Sequence, residues 1–291
     1  MKNQNQFSRI ISGTMTWGEW GKQLSTKEMA GLMHQCLEMG ITTFDHADIY
    51  GGYATEGAFG KAFAESKIDR EKIQLITKCG IQYVCESRDN KVKHYNYGKD
   101  YIIWSAERSL SELRTEYLDL FLLHRPSPLM HPEEVAAALG ELMESGKVRS
   151  FGVSNFTPSQ IALIEKEIPV SGNQVELSLT DHSVMFDGTL DDALLNNRML
   201  MSWSPLGSYF REKNEQRKRI KKALKPMKKK YNASTSQLLL AWILNHPAKA
   251  YPVVGTTNPD RLRESIQAAE LEMELEDWFT LLTASQGHKV P

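Results

Sequence analysis

Four side chains in the first half of the chain have the types that a proton transfer needs, and each lies at or just beyond the end of an apolar run. Asp45 comes near the end of "ITTFDH" (residues 41–46), Tyr50 follows in "ADIYGGY", Lys78 closes "IQLITK" (73–78) and His124 closes "LDLFLLH" (118–124). A carboxylate, a phenol, an ammonium and an imidazole brought together can deliver a proton to a substrate oxygen that is gaining negative charge. A free phenol ionises at about pH 10, too high for efficient acid–base work near neutrality, and an adjacent ammonium stabilises its ionised form. Lys78 is the candidate ammonium, and Asp45 is the group that would fix it and balance its charge.

Each position taken singly has a plainer explanation, because strands often stop where solvent begins. Four such groups on consecutive runs demand more. Asp45 and Lys78 would have to pair if half-buried, since a lone buried charge is costly. Side-chain alternation puts Ile41, Thr43 and Asp45 on one side of their strand, Ile76 and Lys78 on one side of theirs, and Leu120, Leu122 and His124 together on a third.

For these groups to meet, their strands must run parallel with their C-terminal ends at one face. Strand-length apolar runs recur through the chain: about "FSRIISGTM" first, then the three above, "KVRSFGVSN" at 147, "GNQVELS" at 172, "MLMSWSPLG" at 199 and "AYPVVGTT" at 250. Helix-like segments lie between them. In "STKEMAGLMHQCLEMG" (25–40) Ser25 or Thr26 can cap the start and Gly40 can close the end. In "HPEEVAAALGELMESG" (131–146) Pro132 and two glutamates suit the first turn and Gly146 the stop. Eight β-then-α units without a Pro/Gly/Ser-rich linker predict an α/β fold, a closed (β/α)8 TIM barrel forming a single domain over 1–291. The competing open doubly wound sheet wants GxGxxG after its first strand, and "SGTMTWGEWG" does not match.

Composition is that of an ordinary globular chain: 291 residues, 41% hydrophobic and 24% charged, with a net charge of -1 that gives no global attraction to nucleic acid or membranes. Cys36, Cys79 and Cys85 form no CxxC pair or disulfide ladder, which suits a reducing compartment. The N-terminal "MKNQNQFSRI" has no apolar signal core, and the apolar run "LLLAWIL" (238–244) is too short to span a bilayer, so a soluble cytoplasmic protein is expected. The one strongly basic block, "REKNEQRKRIKKALKPMKKK" (211–230), invites a nucleic-acid reading, but no aromatic ladder accompanies it. It reads as a solvated helix face. A metal-dependent hydrolase using Asp45, His46 and Asp48 would want an HxH on the first strand, which has none.

The ordered series "DHADIYGGY", "KCGI", "LLHRP", "GKVRSFGVSNF", "NQVE", "WSPLG" and "PVVGTTNPDRLRESI" resembles the aldo-keto reductases over nearly the whole chain, most of all a bacterial YdhF-type branch. Asp45, Tyr50, Lys78 and His124 match that family's Asp, Tyr, Lys and His in order and context. The resemblance implies NADPH-dependent reduction of a small-molecule aldehyde or ketone, with Tyr50 giving the proton and His124 orienting the substrate oxygen. It implies no nucleic-acid or membrane partner and selects no oligomeric state. It also implies a dinucleotide site. Gly13, Thr14 and Met15 follow the first strand; Ser154, Asn155 and Gln174 suit a carboxamide; Trp203 offers an aromatic face to the nicotinamide, with Ser204, Pro205, Leu206 and Gly207 beyond it. After the eighth strand come Gly255, Thr256, Thr257, Asn258, Arg261 and Glu264. Here the chain opens a helix whose free N–H groups and positive end suit an anion, with Thr256, Thr257, Asn258 and Arg261 as the clamp for a 2′-phosphate. Gly255 stands where several relatives carry Lys. A cofactor-sensing binder, like the more distant channel β subunits, is the alternative to an enzyme. Substrate choice is expected from loops that include Trp17, Tyr53 and "GSYFREKN".

Overall fold

The computed structural model describes residues 7–291, so the reading of the first six residues lies outside the described part. The first half of the chain runs β1 (Ile11–Gly13), α1 (Thr26–Glu38), β2 (Thr43–Asp45), α2 (Thr55–Ser66), β3 (Gln74–Cys79), β4 (Ile81–Gln82), β5 (His94–Tyr95), α3 (Lys99–Leu113), β6 (Leu120–Leu123) and α4 (Pro132–Glu144). The second half runs β7 (Phe151–Ser154), α5 (Pro158–Glu165), β8 (Gly172–Glu176), α6 (Thr189–Leu195), β9 (Met199–Trp203), α7 (Glu215–Lys230), α8 (Thr235–Leu244), β10 (Tyr251–Val254), α9 (Pro259–Gln267) and α10 (Leu275–Gln286). β1, β2, β3, β6, β7, β8, β9 and β10 close into a parallel barrel, β10 pairing back onto β1, and the helices surround it. This is the expected single-domain (β/α)8 barrel.

Local chemistry sets the helix limits. Ser25, Thr157 and Ser234 each form a capping box with the Glu or Gln three residues on, satisfying N–H groups that a helix start leaves free. Gly40 takes φ +82° two residues after α1 ends, a conformation that costs glycine little. The barrel interior is filled by Ile11, Ile76, Leu120, Leu122, Met201 and Val253, while a larger apolar layer lies between strands and helices. A packed interior leaves the C-terminal rim as the place where polar ends can gather.

Three features exceed the eight-unit pattern, one of them the final helix α10, which follows α9. The β4–β5 hairpin is antiparallel and stands apart from the barrel in the segment after β3. The β9-to-β10 connection carries two helices, and the first of them, α7, is the basic block. Its Ile220, Leu224 and Met227 are buried while most of its lysines are exposed, so the charge run is a solvated helix face. No helix among the described residues is long and apolar enough to cross a membrane.

The helix that follows the Tyr50 loop, α2, is held by a close approach to α3. A methyl group on Gly60 would meet the carbonyl oxygen of Glu112 and lie 2.8 Å from the carbonyl carbon of Leu113. Both neighbours are backbone and cannot turn aside. Gly60→Ala is therefore expected to destabilise the fold by about 1–3 kcal/mol, measured by urea unfolding. An unchanged midpoint would show that the two helices separate at no cost.

Candidate active site

Strand register brings the expected quartet to one end of the barrel. Asp45 is the last residue of β2 and Lys78 the fifth of β3, while His124 directly follows β6. Tyr50 sits in the turn after β2, whose chain is reversed by Gly51 and Gly52 at φ +60° and +63°. A Cβ on Gly51 would lie 2.6 Å from the Thr55 hydroxyl, so the turn has no room for a side chain there. The Tyr50 carbonyl accepts from the N–H groups of Ala54 and Thr55, which anchors the turn to the start of α2.

Lys78 and Asp45 form the centre of the cluster, their side chains 1% and 3% exposed. Lys78 Nζ donates to both carboxylate oxygens of Asp45 at 2.8 and 2.7 Å, to the carbonyl of His46 at 2.6 Å and, more loosely, to the Tyr50 hydroxyl at 3.4 Å. Burial works against the charged form of Lys78, but Asp45 and Tyr50 outweigh it and hold the ammonium above its ordinary range.

The two remaining members respond to the same surroundings. The Tyr50 phenol is pushed up by burial; Lys78 pulls it down and Asp45 pushes it up again, and the net direction is upward. The expected pull of Lys78 on the phenol is present, yet burial wins. His124 is held well below the usual imidazole range by burial and then by Lys78, Arg125 and Lys93, so the ring is neutral near pH 7. Its ring stands edge-on to that of Tyr50, centroids 6.2 Å apart, and its Nδ1 is buried without a hydrogen-bond partner.

A polar chain leads from this cluster across the rim. Gln174 donates to Asp45 Oδ1 at 2.8 Å, Ser154 donates to the Gln174 carbonyl at 2.8 Å, Asn155 donates to the Ser154 hydroxyl at 2.8 Å, and Trp203 Nε1 donates to Asn155 Oδ1 at 2.9 Å. The indole is thereby fixed at the wall of a cleft of about 1350 Å3. Gly13, Met15, Tyr50, His124 and the residues from Trp203 to Gly207 line that cleft, which continues to Gly255, Thr256, Thr257, Asn258, Arg261 and Glu264. The volume exceeds the roughly 300–1,000 Å3 common for small ligands and suits an elongated one.

Several residues sit otherwise than expected. Thr14 is fully buried, its hydroxyl donating to the Asp45 carbonyl at 3.0 Å and meeting His46 Nδ1 at 2.9 Å, and Thr16 lines the cleft instead. Trp17 is enclosed between Phe44 and Phe59, and Tyr53 is buried with its hydroxyl bonded to Ile81 and Tyr83, so neither shapes the mouth. Trp20, Ile49, Ile81, Lys93, Tyr95 and Arg125 line it, three of them from the unexpected hairpin region. At the start of α9 the Asn258 side chain already accepts from the N–H groups of Asp260 and Arg261. That helix end is thus capped by its own chain, and the Arg261 guanidinium is the charge left to meet an anion.

His46 and Asp48 face away from the cleft. The ring of His46 packs edge-on to Phe59, and Asp48 accepts from Ser105 at 3.2 Å. Among the described residues no three His, Cys, Asp or Glu side chains gather as a metal-holding group. Behind them Glu56 is buried, accepting from Thr77 and from Ser109, and burial raises its carboxyl to about 7. Glu56 holds its proton more tightly folded than unfolded. Its contribution to stability is therefore complete below the ordinary value of 4.5 and is lost as pH rises through about 7. Glu56→Gln, which copies the protonated acid, is expected to make the fall in unfolding free energy over that window shallower, as measured by denaturant titration at a series of pH values. Parallel profiles for variant and parent would contradict the assignment.

Comparison with known proteins places the fold in a family. The chain matches the Aldo/keto reductase family over residues 9–283. It is 39% identical to the oxidoreductase YdhF of Escherichia coli (strain K12), covering 98% of this chain and 96% of that one. It is 36% identical to the 6-dehydroglucose reductase of Agrobacterium fabrum (strain C58 / ATCC 33970), covering 100% and 98%. The crystal structure of the thermostable aldo-keto reductase Tm1743 superposes with a TM-score of 0.82 at 26% identity, covering 97% of both chains. With a family match over residues 9–283 and relatives this similar over nearly all of its length, the chain belongs to the aldo/keto reductase family.

Proposed function

We propose that this oxidoreductase reduces aldehyde or ketone carbonyls with NADPH and that Tyr50 supplies the proton. The observation that carries this reading is the shared wall of Tyr50 and His124 above a sealed ammonium, Lys78 Nζ lying 3.4 Å from the phenol oxygen. The names of the relatives, an oxidoreductase and a 6-dehydroglucose reductase, support carbonyl reduction.

Bound at the rim, the reduced dinucleotide would supply the hydrogen and electron pair that the carbonyl carbon accepts. Every other task falls to side chains of this chain. The Tyr50 phenol, protonated near neutrality, donates to the carbonyl oxygen as negative charge develops there. Lys78 then stabilises the phenolate left behind until solvent returns the proton. His124, being neutral, offers one N–H; carried on Nε2 toward the cleft, it orients the substrate oxygen and leaves the enclosed Nδ1 bare. Trp203 would support the nicotinamide, and Ser154, Asn155 and the free Oε1 of Gln174 would meet its carboxamide. Ser204 to Gly207 would follow the pyrophosphate, with Gly13 and Met15 across the cleft.

The adenosine end would lie by α9. Arg261 has no side-chain partner among the described residues, and its planar guanidinium suits a 2′-phosphate. Thr256, Thr257 and Glu264 complete that end. Gly255 leaves open space where a side chain would begin, so this charge is carried by Arg261 without a neighbour at 255.

Tyr50→Phe removes only the hydroxyl. Stopped-flow single turnover of bound NADPH with a reactive aldehyde is expected to slow by about a hundredfold or more, while NADPH affinity, read from tryptophan fluorescence, changes little. NADPH should bind more tightly than NADH in parent and variant alike. Retained turnover would remove Tyr50 as proton donor, and equal affinity for the two dinucleotides would remove the NADPH preference.

A further inference from the structure

The cleft is lined by five cations, Lys22, Lys93, Arg125, Arg211 and Arg261, against two acids, Asp45 and Glu264. Asp45 is committed to Lys78, and Glu264 accepts from Ser234 at 3.2 Å beside α9. The charge excess is therefore real, and its distribution matters. Arg125 follows His124 in the chain, and both Arg125 and Lys93 act electrostatically on the His124 ring. These two cations therefore belong to the His124 end of the cleft.

Arg125 is built in rather than loosely attached. Its backbone is clamped by the buried Tyr97, whose hydroxyl donates to the Arg125 carbonyl and accepts from the Arg125 N–H at 3.1 Å. Its guanidinium, half-buried, forms no ion pair and no side-chain hydrogen bond among the described residues; it lies 5.4 Å from the centre of the Trp203 ring. Glu176 feels the field of Arg125 and of Arg211, but it forms an ion pair with neither among the described residues. A guanidinium resting on an indole is weakly hydrated and keeps its planar fork of donors in place. Five N–H groups held at the edge of a binding cleft with no hydrogen-bond partner among the described residues are a site for an acceptor that arrives with the ligand.

We infer that Arg125, seconded by the exposed Lys93, binds an anionic group that the substrate carries away from its carbonyl, so that the preferred substrates are aldehydes or ketones bearing a carboxylate, sulfonate or phosphate. This rests on the carbonyl-reducing reading above. Trp20, Ile49, Ile81 and Tyr95 give the intervening carbon skeleton an apolar wall, and His124 with Tyr50 takes the carbonyl oxygen. A neutral substrate would leave both cations facing water, where they contribute nothing to selection. The competing occupant for Arg125 is a phosphate of the dinucleotide itself.

The test compares para-carboxybenzaldehyde with its uncharged amide, para-carbamoylbenzaldehyde, which differs little in size. The parent protein is expected to favour the carboxylate in kcat/KM by about tenfold or more, mainly through KM, with the preference falling as salt is raised. Arg125→Gln should reduce the carboxylate-to-amide ratio by about tenfold to a hundredfold, Arg125→Lys should restore part of it, and Lys93→Gln should have the smaller effect. NADPH affinity, measured by fluorescence titration in the absence of aldehyde, should change far less than the ratio does in Arg125→Gln. Equal use of both aldehydes by the parent would overturn the proposal while leaving carbonyl reduction in place. A loss of NADPH affinity matching the loss of selectivity would assign Arg125 to the cofactor. Turnover of neither aldehyde, nor of any other carbonyl compound, would defeat the reductase reading and this one with it.

Discussion

The site depends on one ammonium that has no access to water. Lys78 is enclosed at the top of the barrel, and among the described residues the two Asp45 oxygens, the His46 carbonyl and the distant Tyr50 hydroxyl replace its lost hydration. Removing one partner of such a buried pair costs about 3–5 kcal/mol, because the other charge is left uncompensated. The pair therefore fixes β2 against β3, and the Gln174 amide on Asp45 extends the constraint across the barrel to β8. Its electrical effect is moderated by its own neutrality. Lys78 draws the Tyr50 phenol down, Asp45 and burial push it up, and the phenol ends above its ordinary range. A protonated phenol beside a retained cation is the form that carbonyl reduction requires of a donor.

From that anchor the rim is organised by hydrogen bonds more than by packing. The chain from Asp45 through Gln174, Ser154 and Asn155 ends on the indole of Trp203, so the proposed acid–base centre and the proposed nicotinamide platform share one network. Displacement of any link would move the plate relative to the proton donor. The proposed substrate selection falls to a different layer, made of segments that leave the barrel: the loop after β1 with Trp20, the β4–β5 hairpin with Lys93 and Tyr95, and Arg125 just beyond His124. The barrel can hold its chemistry constant while these segments change.

What could be read from the residues follows the same division. The strand ends were readable because an apolar run that stops at Asp45, Lys78 or His124 has one buried direction, and alternation fixes which side chains share it. The start of α1 was readable, where Ser25 or Thr26 was expected to cap and Ser25 does. Aromatic loop residues were not. Trp17, Trp20 and Tyr53 look alike in sequence, yet the first and third turn inward and only Trp20 reaches the mouth. Asn258 was expected to meet a phosphate, but as an N-cap its side chain is consumed by its own helix, a competition that spacing does not resolve. The hairpin from Ile81 to Tyr95 has two-residue strands and mixed charge, too short a pattern for periodicity to detect. Arg125 was visible in "LLHRP", but that its guanidinium forms no ion pair or side-chain hydrogen bond among the described residues is a property of the fold.

The central proposal, that Lys78 draws the ionisation of Tyr50 down against burial, is tested most directly by the pH dependence of alcohol oxidation, where the phenolate would be the active form. In the parent protein kcat/KM for oxidation should rise with pH to a plateau governed by the phenol. In Lys78→Met the nearest stabilising charge is gone while burial and Asp45 remain, so the apparent pKa of that rise is predicted to move up, together with a fall in the limiting rate. A profile that keeps both its midpoint and its plateau in Lys78→Met would show that the buried pair is structural only and that the proton comes from elsewhere.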